Sequence, residues 1–130
     1  MKTFSILSII FALGSFTIFK GQRMTKIELF FGLSKCGGEI ISTKDWQAFA
    51  DTVIAKTFTD GSTIVDARGQ YLEKDGKLIS ESSKMLIVIS KLDAKCSKQI
   101  DIVREKYKKY FQQESVMRMN KRVRVDFRIL

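Results

Sequence analysis

The sequence predicts a single α+β domain with the ferredoxin-like βαββαβ plan. In this plan a four-stranded antiparallel sheet, in the order 4-1-3-2, carries both helices on one face. Three observations predict it: four stretches alternate apolar and polar residues as strands do, two repeat apolar residues at helical spacing, and a tight-turn signal separates the second and third strands. With 130 residues, the chain is long enough for one domain but not for two.

The first half of the chain supplies a strand and a helix. The strand is predicted over residues 26–34, where alternate residues are apolar: Ile27, Leu29, Phe31 and Leu33. Ser42 and Asp45 have the spacing of a capping box, which opens the first helix. Five apolar residues then recur at helical spacing and are expected in the core: Trp46, Phe49, Ala50, Val53 and Ile54.

The second half supplies three strands and a helix. Strands are predicted over residues 63–71 and 78–91, joined by the turn Lys74-Asp75-Gly76-Lys77. Asp93 is expected to cap a helix whose buried stripe is Cys96, Ile100, Val103, Tyr107 and Phe111. Residues 115–129 contain the last strand, in which arginines alternate with apolar residues as in an edge strand protected by charge.

The turn decides which residues of the hairpin face each other. A two-residue turn at Asp75-Gly76 would place Lys84 on the helix-covered face beside an apolar neighbour. A three-residue turn, with Gly76 in the left-handed conformation, pairs Glu73 with Lys77 and sets Asp66 opposite Lys84. Because burying an unpaired ammonium costs several kcal/mol, we favour the second register. We expect it to put the Asp66–Lys84 pair on the open face, with Met85, Ile87 and Ile89 facing the helices.

Polar residues from distant stretches converge at one end of this predicted sheet, where strands one and two end and strands three and four begin. The candidate ligand-binding residues are Ser34, Asp66, Arg68, Gln70, Lys84, Glu114, Ser115 and Arg118. Arg68 and Lys84 suit a small anionic ligand, and Asp66 would orient Lys84. The alternative is structural: Asp66–Lys84 and Arg68–Glu114 ion pairs could fix the strand register.

The composition limits the chemistry. The chain has no His, which removes the commonest general base and zinc ligand, and we predict neither a metal site nor a cofactor. The formal charge of +9 is compatible with anionic partners. The two cysteines, Cys36 and Cys96, are placed at opposite ends of the sheet, too far apart for a disulfide, so we predict free thiols.

The N-terminal segment has the pattern of an export signal. Lys2 precedes an uncharged stretch, Thr3 to Phe19, that is rich in Phe, Ile and Leu. We predict a signal peptide over residues 1–21 and the folded domain over residues 22–130. An uncleaved anchor and a buried N-terminal helix remain alternatives. The predicted location is therefore outside the cytoplasm: the periplasm, the medium, or a membrane to which residues 3–19 tether the domain.

Several stretches resemble one family of small exported bacterial proteins, known as domain of unknown function 3574. The matching stretches are Glu28–Ser34, Asp45–Phe49, Asp66–Gln70, Ser83-Lys84 and Gln113–Val116, and the similarity spans about Thr25 to Phe127. Members often carry Trp where Tyr71 stands and Pro before the residue matching Phe58, and this chain has neither. The resemblance implies one domain, bacterial origin and export, and it implies no known activity.

Three functions follow as hypotheses. The first is an exported binding or interaction domain that uses the polar end of the sheet. The second is a cofactor-independent enzyme that dimerises through the open sheet face, for which Phe30, Ile64, Leu86 and Val88 would form an apolar surface. The third and most remote is RNA binding, since the third strand lacks the aromatic pair of the RNA-recognition motif.

Overall fold

The computed structural model describes residues 21–127 and confirms the predicted fold class. One antiparallel sheet is formed by β1 (Gln22–Gly32), β2 (Thr63–Leu72), β3 (Leu78–Ser90) and β4 (Met117–Val125), in the order β2-β3-β1-β4. This is the predicted order counted from the other edge. Residues 1–20, which hold almost all of the predicted export signal, lie outside the described residues. In the described part, no helix is long and apolar enough to cross a membrane.

Helices follow β1 and β3. The first consists of α1 (Thr43–Phe49), a π-helical segment (Ala50–Ile54) and a short α-helical end, α2 (Ala55–Thr57), and the second is α3 (Ala94–Phe111). Both predicted caps are present: Ser42 Oγ accepts the Asp45 N–H at 3.0 Å, and Asp93 Oδ1 accepts the Cys96 N–H at 2.7 Å. Each cap satisfies a backbone donor that the first turn of a helix leaves unpaired.

The core lies between the helices and one face of the sheet. Its sheet side is formed by Ile27, Leu29 and Phe31 of β1 with Leu86 and Val88 of β3. Tyr107 of α3 is fully buried at its centre, with ring centroids 4.7 Å from Phe31 and 5.1 Å from Phe49. Such edge-to-face aromatic contacts add to the energy of burial, so this cluster ties α1 and α3 to β1.

The hairpin register is confirmed. Glu73 N–H donates to the Lys77 carbonyl at 2.8 Å, Gly76 is left-handed with φ +88°, and Asp66 stands opposite Lys84. The predicted face is wrong, however. Lys84 also pairs with buried Phe31, so the Asp66–Lys84 pair projects from the helix-covered face.

Because side chains alternate along β3, the predicted faces of its other residues are wrong as well. Leu86 and Val88 face the helices, whereas Met85, Ile87 and Ile89 project from the open face. The physical reason is that five consecutive apolar residues make both faces of β3 apolar, so hydrophobicity alone does not choose between them. Lys84 is accommodated because it lies beside the last residues of β1, where its ammonium reaches the Asp66 carboxylate.

The two cysteines are free thiols and lie as predicted. Cys36 is exposed in the loop after β1, whereas Cys96 lies in the first turn of α3, at the other end of the sheet. The Cys96 Sγ atom is 3.6 Å from Ser90 Oγ at the end of β3.

Candidate functional site

At the end of the sheet where β1 stops, here called the Gly32 end, the strands end at different levels and form a step. Gly32 pairs with Ser83, and the β2–β3 hairpin continues well past this level to Leu72 and Leu78. The loop after β1, the end of α3 and the α3–β4 connection surround the step. The topology thus brings together segments that are far apart in sequence.

Asp66 and Lys84 form an ion pair across the hairpin on the helix-covered side of this step. The Lys84 side chain is 20% exposed and that of Asp66 85% exposed. Because one partner is largely in water, we expect the pair to contribute at most about 1 kcal/mol to stability. It fixes the position of a cation more than it stabilises the fold.

Arg68 and Gln70 follow Asp66 on the same face of β2. Both are exposed, and neither makes a hydrogen bond or an ion pair with any residue between 21 and 127. The expected Arg68–Glu114 ion pair is not formed among these residues. Arg68 is therefore a cation whose charge the described fold leaves available.

The remaining candidates divide into two groups. Ser34 is part of the step, and its carbonyl accepts Gln113 Nε2 at 2.8 Å. Glu114 and Ser115 are exposed in the α3–β4 connection at the same end.

Arg118 lies apart from the others, on β4 at the opposite edge of the sheet from β2. Its Nη1 atom donates to Asp101 Oδ1 at 3.0 Å and lies 3.4 Å from the Ser97 carbonyl, both on α3. Hydrogen bonds from Arg104 and Arg118 lower the pKa of Asp101. Arg118 thus connects β4 to α3 and is not brought to Asp66.

The structure adds Tyr107 and Glu81 to the Gly32 end. Tyr107 Oη donates to the Gly32 carbonyl at 2.5 Å. A β-carbon on Gly32 would lie 2.7 Å from Glu81 Oε1 and 3.3 Å from Gln113 Oε1, so the missing side chain makes room for the Glu81 carboxylate. Burial raises the pKa of Tyr107, and the nearby negative charge of Glu81 raises it further. The hydroxyl therefore stays protonated and remains a hydrogen-bond donor.

Glu81 is the residue that the sequence analysis missed. It is half-buried and forms no hydrogen bond or ion pair with the described residues. Its signal in the sequence was a single acid between Ser80 and Ser82, in a strand whose other polar residues are uncharged or basic. Only the approach of Gly32 and Tyr107 gives that acid a particular position. Within residues 21–127, no group of three or more acidic or cysteine side chains could hold a metal ion.

Comparisons with known proteins place the chain in a family. The family model for a protein of unknown function, DUF3574, matches residues 26–127. The chain belongs to this family. A comparison with curated proteins finds no match.

Two solved structures of a phage SAM lyase have a similar fold. The complex with S-methyl-5′-thioadenosine has a TM-score of 0.57 at 21% identity, over 79% of this chain and 85% of that one. The apo state has a TM-score of 0.56 at 22% identity, over 78% of this chain and 84% of that one. At this level of identity the likeness concerns the fold.

Proposed function

We propose that this domain binds a small zwitterionic metabolite at the Gly32 end, and that SAM is the first ligand to test, with the uncharged thioether S-methyl-5′-thioadenosine as the comparison ligand. The observation that carries the proposal is the Glu81 carboxylate, half-buried without a cationic partner among the described residues, at the same end as the unpaired Arg68. Arg68 and Glu81 project from opposite faces of the β2–β3 hairpin, so a ligand that contacts both must reach around the free edge of β2. A ligand that carries both charges complements such an end better than a simple anion does.

The chemistry of SAM fits this arrangement. Its sulfonium and ammonium groups are positive and its carboxylate is negative. A half-buried carboxylate attracts cations strongly because it is poorly hydrated, and an arginine fork binds a carboxylate through two hydrogen bonds. The Tyr107 hydroxyl and the Gln113 amide donate to the carbonyls of Gly32 and Ser34 and so fix the chain segment that Glu81 approaches. The likeness to a SAM lyase supports the choice of ligand and does not by itself assign an activity.

The test is a titration of the purified full chain by calorimetry and thermal shift. We expect SAM to raise the melting temperature, because a ligand at a hundred times its Kd stabilises a protein by about 2.7 kcal/mol. Glu81→Gln and Arg68→Ala should each weaken binding about tenfold, equivalent to about 1.4 kcal/mol.

A matched control is Lys98→Ala, which removes a charge from an exposed position on α3. Its affinity should equal that of the wild type. If SAM does not shift the melting temperature, or shifts it no more than the uncharged thioether does, the proposed ligand is wrong. If Arg68→Ala unfolds the chain at room temperature, the structural alternative for the polar end is favoured.

The second candidate is an enzyme at the same site, which the likeness to a lyase favours. Incubation with SAM, followed by chromatography for S-methyl-5′-thioadenosine, distinguishes catalysis from binding. An enzyme would release product faster than buffer does and would lose this rate in Glu81→Gln. A binding module would retain SAM unchanged.

We further propose that the domain is exported and that two copies associate through the open sheet face. That face carries the exposed side chains of Val65, Ile89, Met117 and Met119. Its formal charges sum to zero, because two lysines, Lys26 and Lys121, are balanced by two glutamates, Glu28 and Glu81. Lys26 also pairs with Glu28 at 2.7 Å. A second copy of this basic chain would meet no net repulsion there.

A further inference from the structure

A second cluster of charge lies at the opposite end of the sheet, here called the Gln22 end, where β1 begins and β3 and β4 stop. A cleft of about 580 Å³ opens there. Four basic side chains line it together with apolar Met24, Leu92 and Val123: Arg23, Lys91, Arg122 and Arg124. This site is separate from the Gly32 end and does not depend on the function proposed for it.

The strand register forces these cations together. Arg23 of β1 stands directly opposite Arg124 of β4, and Arg122 lies two residues along β4, on the same face. Like charges directly opposite each other destabilise a sheet. Protection of exposed edges explains single charges on β4 and on β1 before Thr25, where β1 has no β3 partner. It does not explain why two arginines, Arg23 and Arg124, stand directly opposite each other.

The four cations have no hydrogen-bond or ion-pair partner among residues 21–127, although Asp93 lines the cleft and Asp126 follows the last residue of β4. The acidic side chain in the cleft lining, Asp93, accepts the Cys96 N–H as the cap of α3. On the same face of β4, by contrast, Arg118 is bonded to α3. Arg118 therefore has hydrogen-bond partners within the fold, whereas Arg122 and Arg124 have none among residues 21–127.

We infer that the cleft at the Gln22 end binds a phosphoryl group. Guanidinium groups bind phosphate through two parallel hydrogen bonds, and three of them on one sheet face would surround its oxygens. The apolar lining suits a ligand with a carbon skeleton, such as a phosphate ester. That ester is either a soluble metabolite or a lipid headgroup.

The experiment has a soluble arm and a lipid arm, both with the full chain. In the first, glycerol 3-phosphate is titrated by calorimetry at low salt. In the second, co-sedimentation is compared between phosphatidylcholine vesicles and vesicles that also contain phosphatidylglycerol. The variants are Arg23→Gln with Arg124→Gln, and Arg124→Lys, which keeps the charge and removes the fork. Lys98→Gln is the control, and circular dichroism checks that each variant folds.

Binding of glycerol 3-phosphate that falls at least tenfold in the double variant supports a soluble phosphate ester. A preference for phosphatidylglycerol without binding of the soluble probe, lost in the double variant, supports a lipid headgroup. The affinity of Arg124→Lys for the probe should lie between those of the wild type and the double variant. The affinity of Lys98→Gln should equal that of the wild type. The inference is overturned if the wild type responds to neither probe, or if the folded double variant binds as tightly as the wild type.

Discussion

At the scale of single residues, Tyr107 connects the core to the Gly32 end. Its ring is fully buried among the aromatic side chains of β1 and α1, while its hydroxyl reaches the last carbonyl of β1 at 2.5 Å. The residue was predictable as core from its helical spacing, but its contact with Gly32 was not. That contact joins positions 75 residues apart, and periodicity carries no information about it.

Tyr107 should make the free energy of unfolding decrease at alkaline pH. Burial raises its pKa above the value of about 10 expected in the unfolded chain. The stabilisation is fully present below pH 10 and is lost as pH rises towards the native pKa, because the unfolded chain releases its proton first. Tyr107→Phe should cost about 1–3 kcal/mol at neutral pH through the unsatisfied carbonyl, but should show a shallower loss above pH 10.

Urea denaturation followed by the fluorescence of buried Trp46 measures both effects. The comparison between wild type and variant removes the shared contribution of lysines, which titrate in the same range. Parallel stability profiles above pH 10 would contradict the raised pKa.

Arg124 should reduce stability in the absence of a ligand. It stands opposite Arg23, and neither side chain has a partner among residues 21–127. We expect Arg124→Gln to increase the free energy of unfolding by a few tenths of a kcal/mol at low salt. The gain should fade as salt is added, because exposed charges are screened. Chemical denaturation at low and high salt checks this, and a variant less stable than wild type at low salt would refute it.

At the scale of elements, local sequence rules correctly predicted which strands and helices form and how the helices are capped. They predicted poorly which face of a strand is buried. Alternation located β1 because Lys26 and Glu28 interrupt the apolar residues on its second face, and both helices began at the predicted residues. In β3 the same rule failed, since Met85 and Leu86 are equally apolar and only pairing with buried Phe31 decides the face. The π-helical segment Ala50–Ile54 has no signal in the apolar spacing.

The cap of the first helix offers a test at this scale. Ser42→Ala removes the acceptor of the Asp45 N–H and should cost about 1 kcal/mol. Ser42→Asp should retain most of the stability, because a carboxylate caps equally well and complements the helix dipole. Urea midpoints of the three proteins measure the difference. An alanine variant as stable as wild type would show that packing of Trp46 and Phe49 alone holds this end.

At the scale of the whole molecule, charge is distributed unevenly over three surfaces. The Gly32 end carries both signs, the Gln22 end is basic, and the open sheet face is balanced and apolar. The first surface was predictable from converging polar stretches, but Arg118, which was predicted to join it, lies on another edge of the sheet. The arginines of the last strand were predicted only to protect an edge, because their alignment with Arg23 depends on the β1–β4 register.

The open face gives the last prediction. A four-stranded sheet about 19 Å wide with strands about 30 Å long offers roughly 600 Å² per copy, the lower end of specific interfaces. We therefore expect a dimer that dissociates on dilution. Met119→Glu should shift the equilibrium to monomer without unfolding the chain, since this side chain is 50% exposed and a carboxylate there would be repelled by its symmetry mate.

Ile102→Glu is the matched control, because Ile102 is 45% exposed on α3, away from the open face. Sedimentation equilibrium over a range of concentrations should give the same dimer constant for this control as for wild type. Wild-type chain that is monomeric at every concentration would refute the dimer. Equal weakening by both substitutions would place the contact elsewhere, because only Met119 projects from the face whose charges cancel.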